Sequence, residues 1–132
     1  MVAMRTYPFQ LNDEDSLIHI DCDLVDDEYT VALDTGASHT VFDITPLLIS
    51  GFEMSKSEGT VQFETGKGVV DAYRFRVSHI TALGITRENF EICAYDFLGN
   101  HILADFDGLL GLDFFKNTDL NISFKRFEIT VS

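Results

Sequence analysis

At 132 residues with 45% apolar side chains, the chain can fill one core and reads as a single domain over residues 1–132. The formal net charge of −13 excludes nucleic acid as a partner, because phosphate would be repelled. Two cysteines make no disulfide framework, and no apolar run approaches the ~18 residues of a membrane span. No signal peptide is visible, so the expected compartment is the cytoplasm.

Residues 4–11 predict a first strand, with Pro8 placing it at a sheet edge. Residues 12–16 read as a solvated turn around Asp13-Glu14-Asp15. Residues 17–24 alternate, with Ile18, Ile20, Cys22 and Leu24 on one face and His19, Asp21 and Asp23 on the other, which is the period of a half-buried strand. His19 is a surface residue of that strand, with no partner spaced to share a metal. Asp26-Asp27-Glu28 turns the chain; a calcium site is the alternative reading of the two acidic clusters. Residues 29–33 return as a strand that ends at Asp34. That aspartate follows directly on residues that belong in a core, where a lone carboxylate costs several kcal/mol unless compensated. The ordinary reading of Asp34-Thr35-Gly36 is a turn whose aspartate caps its own loop.

After Phe42, Thr45 as N-cap and Pro46 at the first helical position predict a short helix through Ile49, ended by Gly51. In residues 60–75 two alternating segments flank Thr65-Gly66-Lys67-Gly68, a hairpin pattern. Residues 77–85 and 89–97 predict two more strands with a turn near Gly84, and Phe90, Ile92 and Ala94 facing one way. Residues 98–107 form a polar loop in which Asp105 and Asp107 lack the rest of a calcium-ligand pattern. Residues 108–116 place a buried Leu-Leu-Gly turn before a short helix packed by Leu112, Phe114 and Phe115. Residues 120–124 and 127–131 are the final strands, turning at Lys125-Arg126. Cys22 and Cys93 lie inside β-type runs as core fillers. The fold class is all-β, a closed barrel with one or two short helices.

Two stretches carry a resemblance. Val31-Ala32-Leu33-Asp34-Thr35-Gly36-Ala37-Ser38, followed by Thr40-Val41-Phe42, resembles the active-site signature of aspartic proteases. Asp107-Gly108-Leu109-Leu110-Gly111-Leu112-Asp113-Phe114-Phe115 resembles the hydrophobic-hydrophobic-Gly segment and short helix that close the retropepsin fold. Their order and separation suit one retropepsin-like domain, so the resemblance covers nearly the whole chain. In motif it is closest to the retroviral-like protease domain of the DNA-damage-inducible proteins and to bacterial and archaeal retropepsin-like proteases.

The resemblance implies an acid-protease barrel and an aspartic endopeptidase without metal or cofactor. Asp34, Thr35 and Gly36 would be catalytic. Residues 60–75 would form a flap over the cleft, with Gly66 and Gly68 giving the tip the backbone freedom of a lid. Peptide contacts would come from Ala37, Ser38, Phe63, Thr65, Gly66, Lys67 and Leu110. The chemistry needs two carboxylates sharing a proton. One Asp-Thr-Gly per chain therefore implies a two-fold homodimer, with residues 127–131 as the strand expected to pair between subunits. In viral retropepsins an Asp two residues past the turn pairs with an Arg after the hydrophobic-hydrophobic-Gly segment. Here those positions hold Ser38 and Leu112, so a differently built brace is expected. The alternative function is a non-catalytic peptide-binding or dimerisation module on the same fold.

Overall fold

The computed structural model describes residues 4–11, 17–65, 68–100, 102 and 104–132. Ten strands are ordered as β1 (Arg5–Pro8), β2 (His19–Leu24), β3 (Asp27–Leu33), β4 (Val41–Asp43), β5 (Thr60–Thr65), β6 (Gly68–Ala82), β7 (Ile85–Tyr95), β8 (Gly108–Leu110), β9 (Leu120–Ser123) and β10 (Glu128–Val131). One α-helix, α1 (Ile44–Ile49), follows β4, and 3₁₀ helices form at Met54–Lys56, Leu98–Asn100 and Leu112–Phe115. The turn expected over residues 12–16 and the tip residues Gly66 and Lys67 lie outside the described residues.

The barrel closes through β6. Neighbours run β2-β3-β8-β4-β7-β6, and β6 then returns to β2 through Cys22↔Ala82 and Leu24↔Ile80. Six strands thus form a ring, and β5 hangs outside it, paired only with β6. Inside lie Ile20, Cys22 and Leu24 from β2, the apolar half of the predicted alternation, with Phe42, Ile80 and Phe114. A smaller cluster of Val41, Val70, Ala72, Cys93, Tyr95 and Phe97 packs on the other face of β4 and β7. Val41-Phe42 of β4 and residues 92–95 of β7 are therefore buried on both sides, which explains why these two short runs carry no charged residue. Burial pushes both thiols up to about 12, so Cys22 and Cys93 are neutral packing groups.

Several local expectations change. The break expected between residues 75 and 77 does not occur, because β6 runs through: Arg76 is the outward member of the alternation between buried Phe75 and Val77. Asn89, read as a strand start, lies inside β7 in the left-handed region, at φ 50°. Helix α1 begins earlier than expected, with Asp43 as its N-cap and Pro46 as its third residue. The Asp43 carboxylate makes no capping bond; its Oδ1 accepts the Phe97 N–H at 3.2 Å. The helix does end at Gly51, at φ 99°, where Gly51 and Phe52 donate to the Leu48 and Leu47 carbonyls at 3.1 and 3.0 Å in a Schellman motif. The expected turn at Asp26-Asp27-Glu28 is tighter, since Asp27 and Glu28 already belong to β3. Leu112 does not pack its helix; it is 50% exposed while Phe114 and Phe115 are buried.

A second, three-stranded sheet has the order β1-β10-β9. β1 lies at its edge, as Pro8 predicts. The expectation that residues 127–131 pair between subunits is overturned, because β10 is the middle strand and both its edges are taken within the chain. Phe127 lies outside that strand, in the left-handed region at φ 54°. Among the described residues no helix is long and apolar enough to cross a membrane.

Candidate active site

β3 delivers Val31, Ala32 and Leu33 into the core, and Asp34 is the first residue to emerge. Its loop is held from three directions. The Asp34 N–H donates to the Leu110 carbonyl at 3.1 Å, and the Ala37 N–H donates to the Asp34 carbonyl at 3.1 Å. The Gly36 N–H donates to Asp34 Oδ1 at 2.9 Å. Asp34 does cap its own turn, and its other carboxylate oxygen has no partner among the described residues. A Cβ at Gly36 would stand 3.2 Å from Oδ1, so glycine permits the tight approach.

Behind the loop, Thr40 is fully buried. Its N–H donates to Asp113 Oδ2 at 3.0 Å and its hydroxyl to Asp113 Oδ1 at 2.7 Å. The same hydroxyl accepts the Gly111 N–H at 3.1 Å. The Leu112 N–H donates to the Ala37 carbonyl at 2.8 Å. This is the brace that the pairing of Ser38 with Leu112 could not supply: a buried threonine and a carboxylate, each satisfying the other. The residue pattern held no local signal for it, since Thr40 follows Ser38-His39 and merely opens the Val41-Phe42 run. Gly111 is required there, because a Cβ would meet the His39 C and O at 2.6 Å and the Ala37 O at 2.9 Å.

A cleft of about 380 Å³ opens at Asp34. The Asp-Thr-Gly loop side contributes Gly36, Ala37, Ser38 and His39, and β5 contributes Phe63 and Glu64. Val41, Tyr95 and Leu109 complete it. The His39 ring lies 5.4 Å from the Phe63 ring, centroid to centroid, and its Nδ1 bonds Ser38 Oγ at 2.9 Å. His39 thus links the Asp-Thr-Gly loop to the hairpin, a contact not foreseen from the residue pattern. Burial raises the Tyr95 phenol above its ordinary value, with Asp43 adding to the shift, so it faces the cleft as a neutral hydroxyl.

Of the expected site residues, Asp34, Gly36, Ala37, Ser38 and Phe63 come together around this cleft. Thr35 is exposed beside it. Leu110 is not a cleft residue: it is fully buried in the core, and the strand alternation turns its neighbour Leu109 to the cleft instead. Thr65 ends β5 opposite Gly68. Gly66 and Lys67 lie outside the described residues. No group of three or more His, Cys, Asp or Glu placed to hold a metal occurs among the described residues.

A barrel with an overhanging hairpin and a braced Asp-Thr-Gly loop defines the acid-protease class. The chain belongs to the aspartyl protease family, whose model matches residues 20–114, from β2 to the helix that carries the brace. The fold is retropepsin-like. A solved structure of a retropepsin-like aspartic protease from Rickettsia conorii matches at a TM-score of 0.70 over 98% of this chain and 91% of that one, with 17% identity. No curated protein matches this chain.

Proposed function

We propose that the 132 residues act as one aspartic endopeptidase domain, working as a two-fold homodimer in which Asp34 of each copy forms the catalytic dyad. The observation that carries this is the half-exposed Asp34 carboxylate at the cleft, oriented by the Gly36 N–H on one oxygen only. Two such carboxylates close together cannot both ionise, so they hold one proton between them. The ionised member takes a proton from a bound water, which attacks the scissile carbonyl. The protonated member donates to the carbonyl oxygen, giving a tetrahedral gem-diol; the proton taken from water then passes to the amide nitrogen as the C–N bond breaks, and because the nucleophile is water no covalent enzyme intermediate forms.

Thr35, exposed beside Asp34, is positioned to tie the two loops across the axis, and Gly36 leaves room beside the dyad. The substrate lies extended between the catalytic loop and the β5–β6 hairpin, paired through its main chain as an added strand. Ala37, Ser38 and Phe63 contact its side chains. The experiment is cleavage of a peptide library at acidic pH by the wild-type chain and by Asp34→Asn. Loss of at least about a thousandfold in rate, with the fold intact, is expected. Equal cleavage by the variant would end the proposal. Peptide binding without cleavage by the wild-type chain would favour the binding-module reading.

A further inference from the structure

Tyr29 and Tyr95 are both buried, but their hydroxyls end differently. The Tyr29 hydroxyl donates to Ser50 Oγ. The Tyr95 hydroxyl has no hydrogen-bond partner among the described residues. Folded proteins rarely leave such a group unpaired, because its lost hydration is not repaid. Nor is it sealed in: among the described residues the one side-chain nitrogen or oxygen closed off without a partner is Arg74 Nε. The Tyr95 oxygen therefore opens onto the cleft that its residue lines beside Asp34.

The surroundings of that oxygen are fixed and mostly apolar. Tyr95 leaves β7 on the side of the smaller cluster, among Val41, Val70 and Phe97. Its ring lies 4.9 Å from the Phe97 ring, centroid to centroid, which holds it in one orientation. Of the other polar side chains at the cleft, Ser38 and His39 bond each other, and Asp34 belongs to the chemistry proposed above. Glu64 remains, exposed on β5, and its carboxylate has no partner among the described residues. The cleft thus offers one neutral O–H and, apart from Asp34, one free carboxylate.

We infer that this cleft selects a substrate residue with an amide side chain, whose oxygen accepts the Tyr95 O–H and whose NH2 donates to the Glu64 carboxylate. The inference rests on the reading above that the cleft holds an extended peptide. The choice follows from donors and acceptors. An aliphatic side chain would cover both groups and satisfy neither. An aspartate or glutamate would set its charge against Glu64 and Asp34. A lysine would satisfy Glu64 but brings no acceptor for the Tyr95 O–H. Tyr95 and Glu64 stand on strands with β6 between them, so a group with its donor and acceptor on separate atoms suits them better than a hydroxyl. The methylenes of the same side chain lie against Val41 and Leu109, which also line the cleft.

The test uses the full chain and peptides randomised at one position at a time. Cleavage is read with the wild type, and binding with Asp34→Asn, which keeps the cleft and removes the reaction. At one position glutamine is expected to exceed methionine, its unbranched apolar counterpart, by about tenfold or more in kcat/KM and in affinity. Tyr95→Phe, placed in both backgrounds, removes one oxygen and keeps the ring. It should abolish that preference and leave the other positions unchanged. Glu64→Gln should admit glutamate at the same position severalfold better. The inference is overturned if Tyr95→Phe leaves the profile unchanged, or if aliphatic or charged residues are preferred at every position, while the wild-type chain still cleaves; the protease reading would then stand. A Tyr95-dependent amide preference in binding, with no cleavage by the wild type, would overturn the protease reading and keep the inference. A chain that neither binds nor cleaves any peptide overturns both.

Discussion

Thr40 carries no charge and reaches no solvent, yet three hydrogen bonds that brace the Asp-Thr-Gly loop region pass through it. Removing the Asp113 carboxylate leaves the Thr40 N–H and hydroxyl buried without an acceptor. Hydrogen bonds to a charged group contribute about 1.5–3 kcal/mol, and an orphaned buried donor costs a similar amount. Asp113→Ala is therefore expected to lower the unfolding free energy by about 2–4 kcal/mol, read from the urea midpoint at constant m-value. Thr40→Val is expected to cost about 2 kcal/mol and Thr40→Ser much less, since the hydroxyl returns. A change below about 0.5 kcal/mol for Asp113→Ala would mean that the brace holds nothing. The buried thiols give a pH prediction. The Cys22 and Cys93 thiols ordinarily ionise near 9.0 and are pushed up to about 12 in the fold, by burial first and then by Asp23 and Glu91 respectively. Above pH 9 the unfolded chain releases those protons and the native state holds them, so stability falls as pH rises from about 9 to about 12. Replacing both by alanine should flatten that slope, and neither native thiol should react with an alkylating reagent near pH 8. Asp34 was legible from the residue pattern because a carboxylate straight after three core residues demands an explanation. The brace was not, because its partners lie 73 residues apart and neither has a local pattern.

Strand β6 serves two structures at once. Its first part, from Gly68 to Tyr73, pairs with β5 outside the ring, and its second part pairs with β7 and β2 within it. The outer hairpin can open by losing its own ladder, the His39–Phe63 contact and its packing on the smaller apolar cluster, while the barrel stays closed. Amides of β5 are therefore expected to exchange with deuterium faster than those of residues 77–82, although both lie in one continuous ladder. A bound peptide-like inhibitor should slow the β5 amides selectively; uniform exchange along β6 would show that the hairpin does not move separately. Phe63→Ala, which removes the hairpin's ring from the cleft, is expected to raise KM more than it lowers kcat if Phe63 contacts substrate and not the dyad, as proposed above. Period-two alternation located most strands, since each has one face in the core. It failed at the joins. Arg76 looked like a break because an outward arginine and an interruption look alike in one dimension. Thr45 looked like a cap because Ser, Thr and Pro at a helix start are common, whereas Asp43 takes that place while its carboxylate serves the Phe97 N–H from another element. The middle position of β10 depends on both chain ends meeting, which no local pattern records.

At the scale of the whole molecule, charge and assembly oppose each other. Each copy carries −13, so bringing two together concentrates −26 (2 × −13) in one particle. Long-range repulsion between the two bodies opposes their pairing. That repulsion is screened beyond a Debye length of about 10 Å at 0.1 M salt and about 3 Å at 1 M. Hydrophobic burial at an interface is not weakened by salt in this way. Dimerisation is therefore expected to tighten as salt rises, opposite in sign to an interface built on complementary charges. Sedimentation equilibrium at neutral pH should show the dimer Kd falling by about tenfold or more between about 0.05 M and about 0.5 M sodium chloride. Carboxylic acids in general take up protons near pH 4, so acidification should shrink the net charge and the salt effect with it. On the proposed dimeric reading, activity at limiting protein concentration should follow the same two dependences. A Kd that rises with salt at neutral pH would point instead to an interface held by opposite charges.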